Sequence, residues 1–287
     1  MQIITIKNNY LQVSVSTLGA ELQSVILNGK ELIWQGDKNF WRGKAPILFP
    51  IAGALKDKQY YLNGVLYDMP FHGFARNNYF SVEQSNESSV TFKLSSTEET
   101  KKYYPFEFDF YVTYTIENNS LQTVCKVVNK CEKEMFFGIG SHESYNFYGT
   151  LSECELHFEK EEKFLSNIVT DGALILSECD DFGPPSSILK ISKDLFIHDT
   201  AVFANVNSRM VTLKKNGKKI ASVEFDAPNL LLWSKAGAPF ICIEPWLNLP
   251  SFVNGDKDIK NKPGLIWLKG GQVYENRHSI TYFNDWE

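Results

Sequence analysis

The chain has 287 residues, 43% hydrophobic and 22% charged, a composition typical of a globular protein rather than a disordered one. Its net charge of -5 argues against nucleic acid as a partner, because phosphate binding requires a basic surface. No signal peptide or apolar stretch of transmembrane length is visible, and the five cysteines contain no Cys-x-x-Cys pair. We therefore expect a cytoplasmic protein with reduced thiols that does not contact a membrane.

Short segments rich in β-branched and aromatic residues recur along the chain and predict period-two strands. In chain order, the clearest are Met1–Lys7, Leu11–Val15, Ser89–Leu94 and Phe108–Ile116. Turn signals separate them at Asn28-Gly29, Asn63-Gly64, Glu117–Ser120 and Asn216-Gly217. Helical periodicity is scarce, and the two short candidates follow Ser96–Thr100 and span Ala45–Phe49.

This pattern predicts an all-β fold, a large antiparallel β-sandwich, formed as a single domain by residues 1–287. Cys179–Ser187 is the most linker-like segment, but strand patterns resume after it. We therefore interpret that segment as a long surface loop.

Three motifs combine titratable and aromatic residues: His72-Gly73-Phe74-Ala75-Arg76, the segment from Ser141 to Phe147 that contains His142 and Asn146, and Cys242-Ile243-Glu244-Pro245-Trp246. Histidine titrates near neutral pH and a buried glutamate can be tuned to join it, so these motifs suit proton transfer on a sugar. The aromatic residues would offer flat apolar faces to a sugar ring. Each histidine alone could equally be a structural residue at a strand end or in a loop.

Glu244 follows the apolar run from Ala238 to Ile243, which places a carboxylate in a strand otherwise suited to burial. Such burial costs several kcal/mol unless the group is paired or functional, so a structural salt bridge is the alternative. Asp199 begins another apolar strand, where it could bind a sugar hydroxyl or simply start a turn.

The remaining histidines, His157, His198 and His278, lie in strand contexts or beside a turn, and we expect them to be non-catalytic. No dinucleotide, phosphate-loop, zinc-protease or serine-hydrolase motif is present. The spacing of the histidines offers no close pair of metal ligands. We therefore expect neither a metal nor a cofactor.

Taken in order, the motifs resemble the aldose 1-epimerase (galactose mutarotase) superfamily and its shorter, LacX-like branch. The likeness covers nearly the whole chain and includes Leu18–Leu22 and Pro46–Gly53. It implies a galactose mutarotase-like supersandwich that acts on a free hexose such as galactose or glucose. Carried over by motif, Glu244 is the base, His142 the acid and His72 an aid at the ring oxygen. The implied substrate contacts are Arg76, Asp199, Asn146 and Trp246.

Two departures from the family pattern concern the site. After Trp246 the usual glycine and aspartate are replaced by Leu247–Phe252, a loop that we expect to line the sugar site. The arginine that longer mutarotases carry before their first histidine motif is missing, and Arg42, Lys56 or Arg76 could replace it. The altered loop leaves a non-catalytic sugar-binding protein as an alternative, and a hexose-phosphate mutarotase as another. The sequence leaves the oligomeric state open.

Overall fold

The structure, a computed structural model, describes residues 1–283, which form mainly strands joined by short turns. The first strands are β1 Ile3–Lys7, β2 Leu11–Ser16, β3 Leu22–Leu27, β4 Lys30–Glu31, β5 Gln59–Leu62, β6 Val65–Asp68, β7 Ser81–Ser85, β8 Ser89–Ser95, β9 Phe108–Glu117, β10 Ser120–Asn129, β11 Met135–Phe137 and β12 Glu143–Asn146. They continue as β13 Cys154–Glu162, β14 Leu165–Val169, β15 Ile175–Asp181, β16 Ser186–Lys190, β17 Thr200–Phe203, β18 Met210–Lys215, β19 Lys218–Phe225, β20 Asn229–Trp233, β21 Phe240–Trp246, β22 Ile266–Leu268 and β23 Val273–Tyr282. Within this range the α-helix is α1 Glu98–Tyr103, and 3₁₀ turns span Lys56–Lys58, Ala75–Asn77, Leu151–Glu153, Lys193–Phe196 and Ile259–Asn261.

Two large antiparallel sheets dominate the fold. One has nine strands in the order β16-β13-β18-β19-β23-β10-β9-β8-β7, and the other has six in the order β12-β21-β20-β17-β14-β15. Alternate side chains of both sheets, such as Phe92 and Leu121 from the first and Leu232 and Ile243 from the second, are buried in one hydrophobic cluster. The sheet β1-β2-β3-β4 adds Val13 and its neighbours to that cluster. This confirms the predicted all-β, antiparallel sandwich.

Most of the local predictions are confirmed. The four predicted strands coincide with β1, β2, β8 and β9. The four predicted turns join β3 to β4, β5 to β6, β9 to β10 and β18 to β19. Asn63 and Gly64 both have positive φ, as a two-residue hairpin turn requires. The helix predicted after Ser96 is α1, which Thr97 caps at its N-terminus. No helix within residues 1–283 is long and apolar enough to span a bilayer.

Two local predictions are wrong. Ala45–Phe49 is not helical, because its backbone forms isolated bridges from Leu48 to Gly140 and from Phe49 to Gly73. Tertiary pairing here overrides helix propensity. Cys179–Ser187 is not a long loop either: β15 continues to Asp181 and β16 begins at Ser186, so four residues separate the strands.

Candidate active site

Strand pairing aligns four side chains in one row across the outer face of the six-stranded sheet. The register of β12 and β21 pairs Glu143 with Ile243, and His142, the residue before β12, lies beside Glu244. Glu244 in turn pairs with Leu231 on β20, and Leu231 pairs with Val202 on β17. Because alternate residues of a strand share a face, all four side chains point away from the main hydrophobic core.

These four residues line a cavity of about 180 Å³. A single buried water needs roughly 15 Å³, so the cavity has room for a small-molecule ligand. Four aromatic side chains from separate parts of the chain contribute to its walls: Trp41, Phe71, Trp233 and Trp246. Aromatic walls around a few polar groups are typical of a binding site for a molecule with an apolar face and polar edges.

His142 and Glu244 form the polar centre of the cavity. Nδ1 of His142 lies 3.4 Å from Oε1 of Glu244, and the two residues are only 9% and 1% exposed. Burial raises the pKa of Glu244 well above its usual range, and the carboxylates of Glu143 and Asp199 act in the same direction. Burial also lowers the pKa of His142 to about 4. Burial thus favours the uncharged form of each residue, so the pair is suited to hold a single proton that moves between its members.

His72 also lines the cavity, close to this pair. Its ring centre is 5.7 Å from that of His142, and the backbone N–H of Gly53 donates a 3.0 Å hydrogen bond to its Nδ1. This bond assigns the proton of the neutral ring to Nε2. Burial, with the charges of His142 and Arg76, holds the pKa of His72 well below its usual value. His72 is therefore a neutral hydrogen-bond donor rather than a cationic acid.

Aromatic rings hold both histidines in place. The His142 ring stacks on Trp41 at a centroid distance of 4.9 Å and meets the edge of Trp233 at 6.0 Å. The His72 ring lies edge-on to Trp246 at 5.4 Å, and Nε1 of Trp246 donates to the carbonyl of Ser141 at 3.0 Å. Trp246 therefore lines the cavity and also fixes the backbone that carries His142.

Arg76 and Asp199 add charge to the cavity wall. Asp199 precedes β17, and its Oδ1 accepts a 3.3 Å hydrogen bond from Nε1 of Trp233. The guanidinium carbon of Arg76 lies 6.0 Å from the centre of the Phe71 ring. Of the lysines and arginines in residues 1–283, Arg76 is the one that lines the cavity, whereas Arg42 and Lys56 do not.

A family model described as aldose 1-epimerase matches residues 2–281, almost the entire chain. The chain belongs to the aldose 1-epimerase family. Protein LacX (chromosomal) of Lactococcus lactis subsp. lactis is 34% identical over 98% of this chain and 99% of its own length. A galactose mutarotase related enzyme from Lactobacillus acidophilus is 33% identical with a TM-score of 0.88, covering 99% of this chain and 98% of that one. A galactose mutarotase-like protein from Lactobacillus casei ATCC 334 is 30% identical with a TM-score of 0.92, covering 98% and 100%.

Membership in the aldose 1-epimerase family makes the chain an isomerase with a mutarotase-type function. Six of the seven residues that the sequence nominates meet in its cavity: His72, Arg76, His142, Asp199, Glu244 and Trp246. They come from distant parts of the chain and are brought together by the pairing of β12, β21, β20 and β17 and by the turn that carries His72. Their catalytic and binding roles stay predictions.

Asn146 is the exception among the predicted residues. It shares the outer face of the sheet with His142 but lies four residues further along β12. Its Nδ2 donates to the carbonyls of Ile33 at 2.7 Å and Glu31 at 3.4 Å. Asn146 thus ties β12 to the segment that covers it and is not among the residues that line the cavity, while its role as a sugar contact stays a prediction.

The unusual loop after Trp246 contributes to the site in two ways. Pro250 lines the cavity. Asn248 is fully buried and exchanges two hydrogen bonds with the backbone of Ala52, at 3.1 Å from the N–H and 2.8 Å to the carbonyl. The altered sequence therefore supplies a fixed cavity wall and joins it to the segment that also positions His72.

Sequence reasoning missed the two tryptophans that contact His142. Trp41 lies in a loop and Trp233 at the end of β20, and neither neighbours a motif in sequence. The sequence could have indicated Trp233, because this residue follows the apolar run Leu230–Leu232, a pattern typical of a buried strand that ends there. No comparable pattern marks Trp41, because its contact with His142 depends on the path of a long irregular segment.

The other histidines lie elsewhere. His157 contacts Glu155 at 2.6 Å, His198 lies 3.6 Å from Asp180, and His278 contacts Glu143 at 2.8 Å. None of the three lines the cavity. Among residues 1–283, one group of three ligand-type side chains could hold a metal ion, namely His142, Cys242 and Glu244. Strand pairing assembles that group, so the spacing of histidines in the sequence did not reveal it.

Proposed function

We propose that the chain interconverts the α and β anomers of a free hexose by opening and reclosing the sugar ring. The observation that carries this proposal is the buried pair of His142 and Glu244, which share a cavity wall 3.4 Å apart. Mutarotation needs one group to accept a proton and another to donate one, and a pair that holds a single proton provides both.

In the proposed reaction, the Glu244 carboxylate accepts the proton of the anomeric hydroxyl while the His142 imidazolium donates a proton to the ring oxygen. The bond between the anomeric carbon and the ring oxygen breaks, which gives the open-chain aldehyde. Rotation about the first carbon–carbon bond and reclosure by the reverse transfers give the other anomer. The Nε2–H of His72 would stabilise the ring oxygen by a hydrogen bond, since His72 is held neutral.

The aromatic walls and the two charged side chains at the rim would orient the sugar. Trp41 and Trp246 offer flat faces, while Arg76 and Asp199 can bind hydroxyl groups. A phosphorylated hexose is less well supported, because phosphate sites usually gather several Arg or Lys groups and Arg76 is the sole such residue on the wall among residues 1–283. We place the activity in the cytoplasm, since all five cysteines are free.

The direct test follows the optical rotation of freshly dissolved α-glucose and α-galactose with the wild type and with Glu244→Gln and His142→Asn. We expect each substitution to lower the catalysed rate by about 10²–10⁴-fold while sugar binding persists, because general acid–base catalysis contributes rate and not affinity. His157→Asn is the matched control, since His157 lies outside the cavity.

A wild-type protein that binds hexose without accelerating mutarotation would support the sugar-binding alternative. Acceleration of hexose 6-phosphates alone would favour the phosphate alternative. Equal rates in the wild type and in both active-site variants would contradict the proposed roles of His142 and Glu244.

A further inference from the structure

Cys242 lies directly beside the proposed acid–base pair. It precedes Glu244 by two residues on β21, so both side chains point to the same face of the sheet. The Cys242 side chain is fully buried and packs with Trp34 and Phe240. The mutarotation proposed above gives this thiol no role.

The three ligand atoms of His142, Cys242 and Glu244 all lie within 4.8 Å of one another. In tetrahedral zinc sites with bonds of about 2.1 Å to nitrogen and oxygen, two such ligands lie roughly 3.4 Å apart. Nδ1 of His142 and Oε1 of Glu244 are already separated by 3.4 Å. With a zinc–sulfur bond of about 2.3 Å, the sulfur should lie roughly 3.6 Å from each of the other two ligand atoms, so each of its distances has to shorten by at most about 1.2 Å.

One ligand atom of this group also lacks a competing partner. Nδ1 of His142 is buried and has no hydrogen-bond partner among the described residues. Imidazole, thiolate and carboxylate are together the ligand set that zinc prefers, whereas calcium and magnesium require oxygen alone. His142 and Glu244 line the cavity, so an ion can reach them from the same side as a sugar.

We propose that His142, Cys242 and Glu244 bind one Zn²⁺ ion, with the fourth coordination position directed to the cavity, and that this ion blocks the active site. Binding displaces two protons to solvent, the thiol proton of Cys242 and the proton shared by His142 and Glu244, and occupies Nδ1 of His142 and the Glu244 carboxylate. Zinc and hexose then exclude one another. The binding of the ion is independent of the reaction, while the inhibition rests on the proposed function.

Binding is tested on the full chain after chelator treatment, with Zn²⁺ titrated against a chromophoric chelator and with Co²⁺ as a spectroscopic substitute. We expect one tight site, and a thiolate-to-cobalt charge-transfer band in the near ultraviolet. Cys242→Ser should abolish the band and weaken zinc binding about tenfold or more, since even secondary contacts to zinc contribute 10–100-fold. Cys179→Ser is the matched control, because Cys179 is an exposed cysteine that does not line the cavity.

Cys242→Ala serves as a second variant should the serine at this buried position prevent folding, and thermal unfolding checks both. The proposal is overturned if Cys242→Ser and Cys242→Ala bind zinc as tightly as the wild type, if Cys179→Ser removes the cobalt band, or if no ion binds.

The inhibition is tested separately. We expect stoichiometric zinc to abolish mutarotation by the wild type and to leave mutarotation by Cys242→Ser unaffected. A protein that binds zinc through Cys242 but never mutarotates sugar would contradict the proposed function and leave the metal site intact.

Discussion

His142 and Glu244 differ from His72 in what their surroundings allow them to do with a proton. The ring of His72 accepts a hydrogen bond from Gly53, which a second proton on Nδ1 would break. His142 has no such partner and faces a carboxylate instead. The two histidine motifs look equivalent in sequence, but the structure makes one ring a fixed donor and leaves the other free to exchange a proton.

The shared proton predicts a bell-shaped pH dependence of kcat/KM. At low pH the pair binds a second proton and Glu244 no longer accepts one from the sugar; at high pH the pair loses its last proton and His142 cannot donate. Because burial lowers the pKa of His142 to about 4 and raises that of Glu244 well above its usual value of 4.5, we expect the acidic limb near pH 4 and an alkaline limb set by Glu244.

The measurement is polarimetry across a pH series, with the buffer-catalysed rate subtracted at each pH. His157→Asn should give the same curve as the wild type. A catalysed rate that does not vary between acidic and alkaline pH would mean that neither group titrates in the reaction, and would disprove the shared-proton account.

At the level of elements, the turn that carries His72 depends on close backbone contact. Gly73 has φ +69°, and a Cβ added there would lie 2.2 Å from the carbonyl oxygen of Phe49. That carbonyl accepts hydrogen bonds from the N–H groups of Phe74 and Ala75. The turn cannot move away from Phe49 without breaking these bonds, so the position of His72 is tied to the absence of a side chain at Gly73.

Gly73→Ala should therefore impair catalysis as well as stability. Gly64→Ala is the matched control: Gly64 has φ +80° but nothing within 4 Å of an added Cβ. We expect both variants to lose about 1–2 kcal/mol of stability from the positive φ. Gly73→Ala alone should lower kcat/KM, by about 10²-fold if His72 moves by 1 Å. Thermal unfolding and polarimetry on both proteins measure the two effects, and equal rates would show that the turn does not position His72.

The inner face of strand β12 makes a buried polar contact with the nine-stranded sheet. Glu143 is 2% exposed, and its Oε1 accepts a 2.8 Å hydrogen bond from Nε2 of His278 on β23. Burial alone would raise the pKa of Glu143, but the charge and hydrogen bond of His278, together with hydrogen bonds from Ser141 and the backbone, hold that pKa below its usual value. The pair therefore connects the strand after His142 to the nine-stranded sheet.

Removal of one partner should be costly, because it leaves the other buried without compensation. We expect His278→Leu or Glu143→Leu to lose about 3–5 kcal/mol, and the double variant to recover much of that loss. Since the folded-state pKa of Glu143 is lowered, its stabilisation is present above its unfolded pKa of about 4.3 and is lost as pH falls through the folded value. Urea unfolding at neutral and acidic pH tests both points. A double variant as unstable as the sum of the single variants would show that the pair is not coupled.

The sequence predicted local elements well and their assembly less well, for physical reasons. Turn pairs such as Asn63-Gly64 fix the backbone angles locally, so the hairpin that they form can be predicted from the sequence. The failure at Ala45–Phe49 arose because long-range bridges decide its conformation. Motifs identified six of the cavity residues, but Trp41 and the metal-ligand position of Cys242 depend on chain path and strand register, which local sequence does not encode.

At the scale of the whole molecule, the prediction that residues 1–287 form one domain implies that the sheets unfold together as one cooperative unit. The main hydrophobic cluster takes buried side chains from the nine-stranded, six-stranded and four-stranded sheets, as represented by Leu121, Ile243 and Val13. The row of His142, Glu244, Leu231 and Val202 lies on the outer face of the same strands that supply this core. A chain built in this way cannot lose one sheet without exposing the core of the others.

We therefore expect a single unfolding transition in which the calorimetric and van't Hoff enthalpies agree. Tryptophan fluorescence and far-ultraviolet circular dichroism should share one midpoint, since Trp41 and Trp233 contact the active-site face while circular dichroism reports on all sheets. Saturating hexose should raise the midpoint of both signals equally, because a ligand that binds only the folded state stabilises the entire cooperative unit. Two separated transitions, or a ligand shift confined to fluorescence, would instead indicate that the six-stranded sheet unfolds as a separate unit.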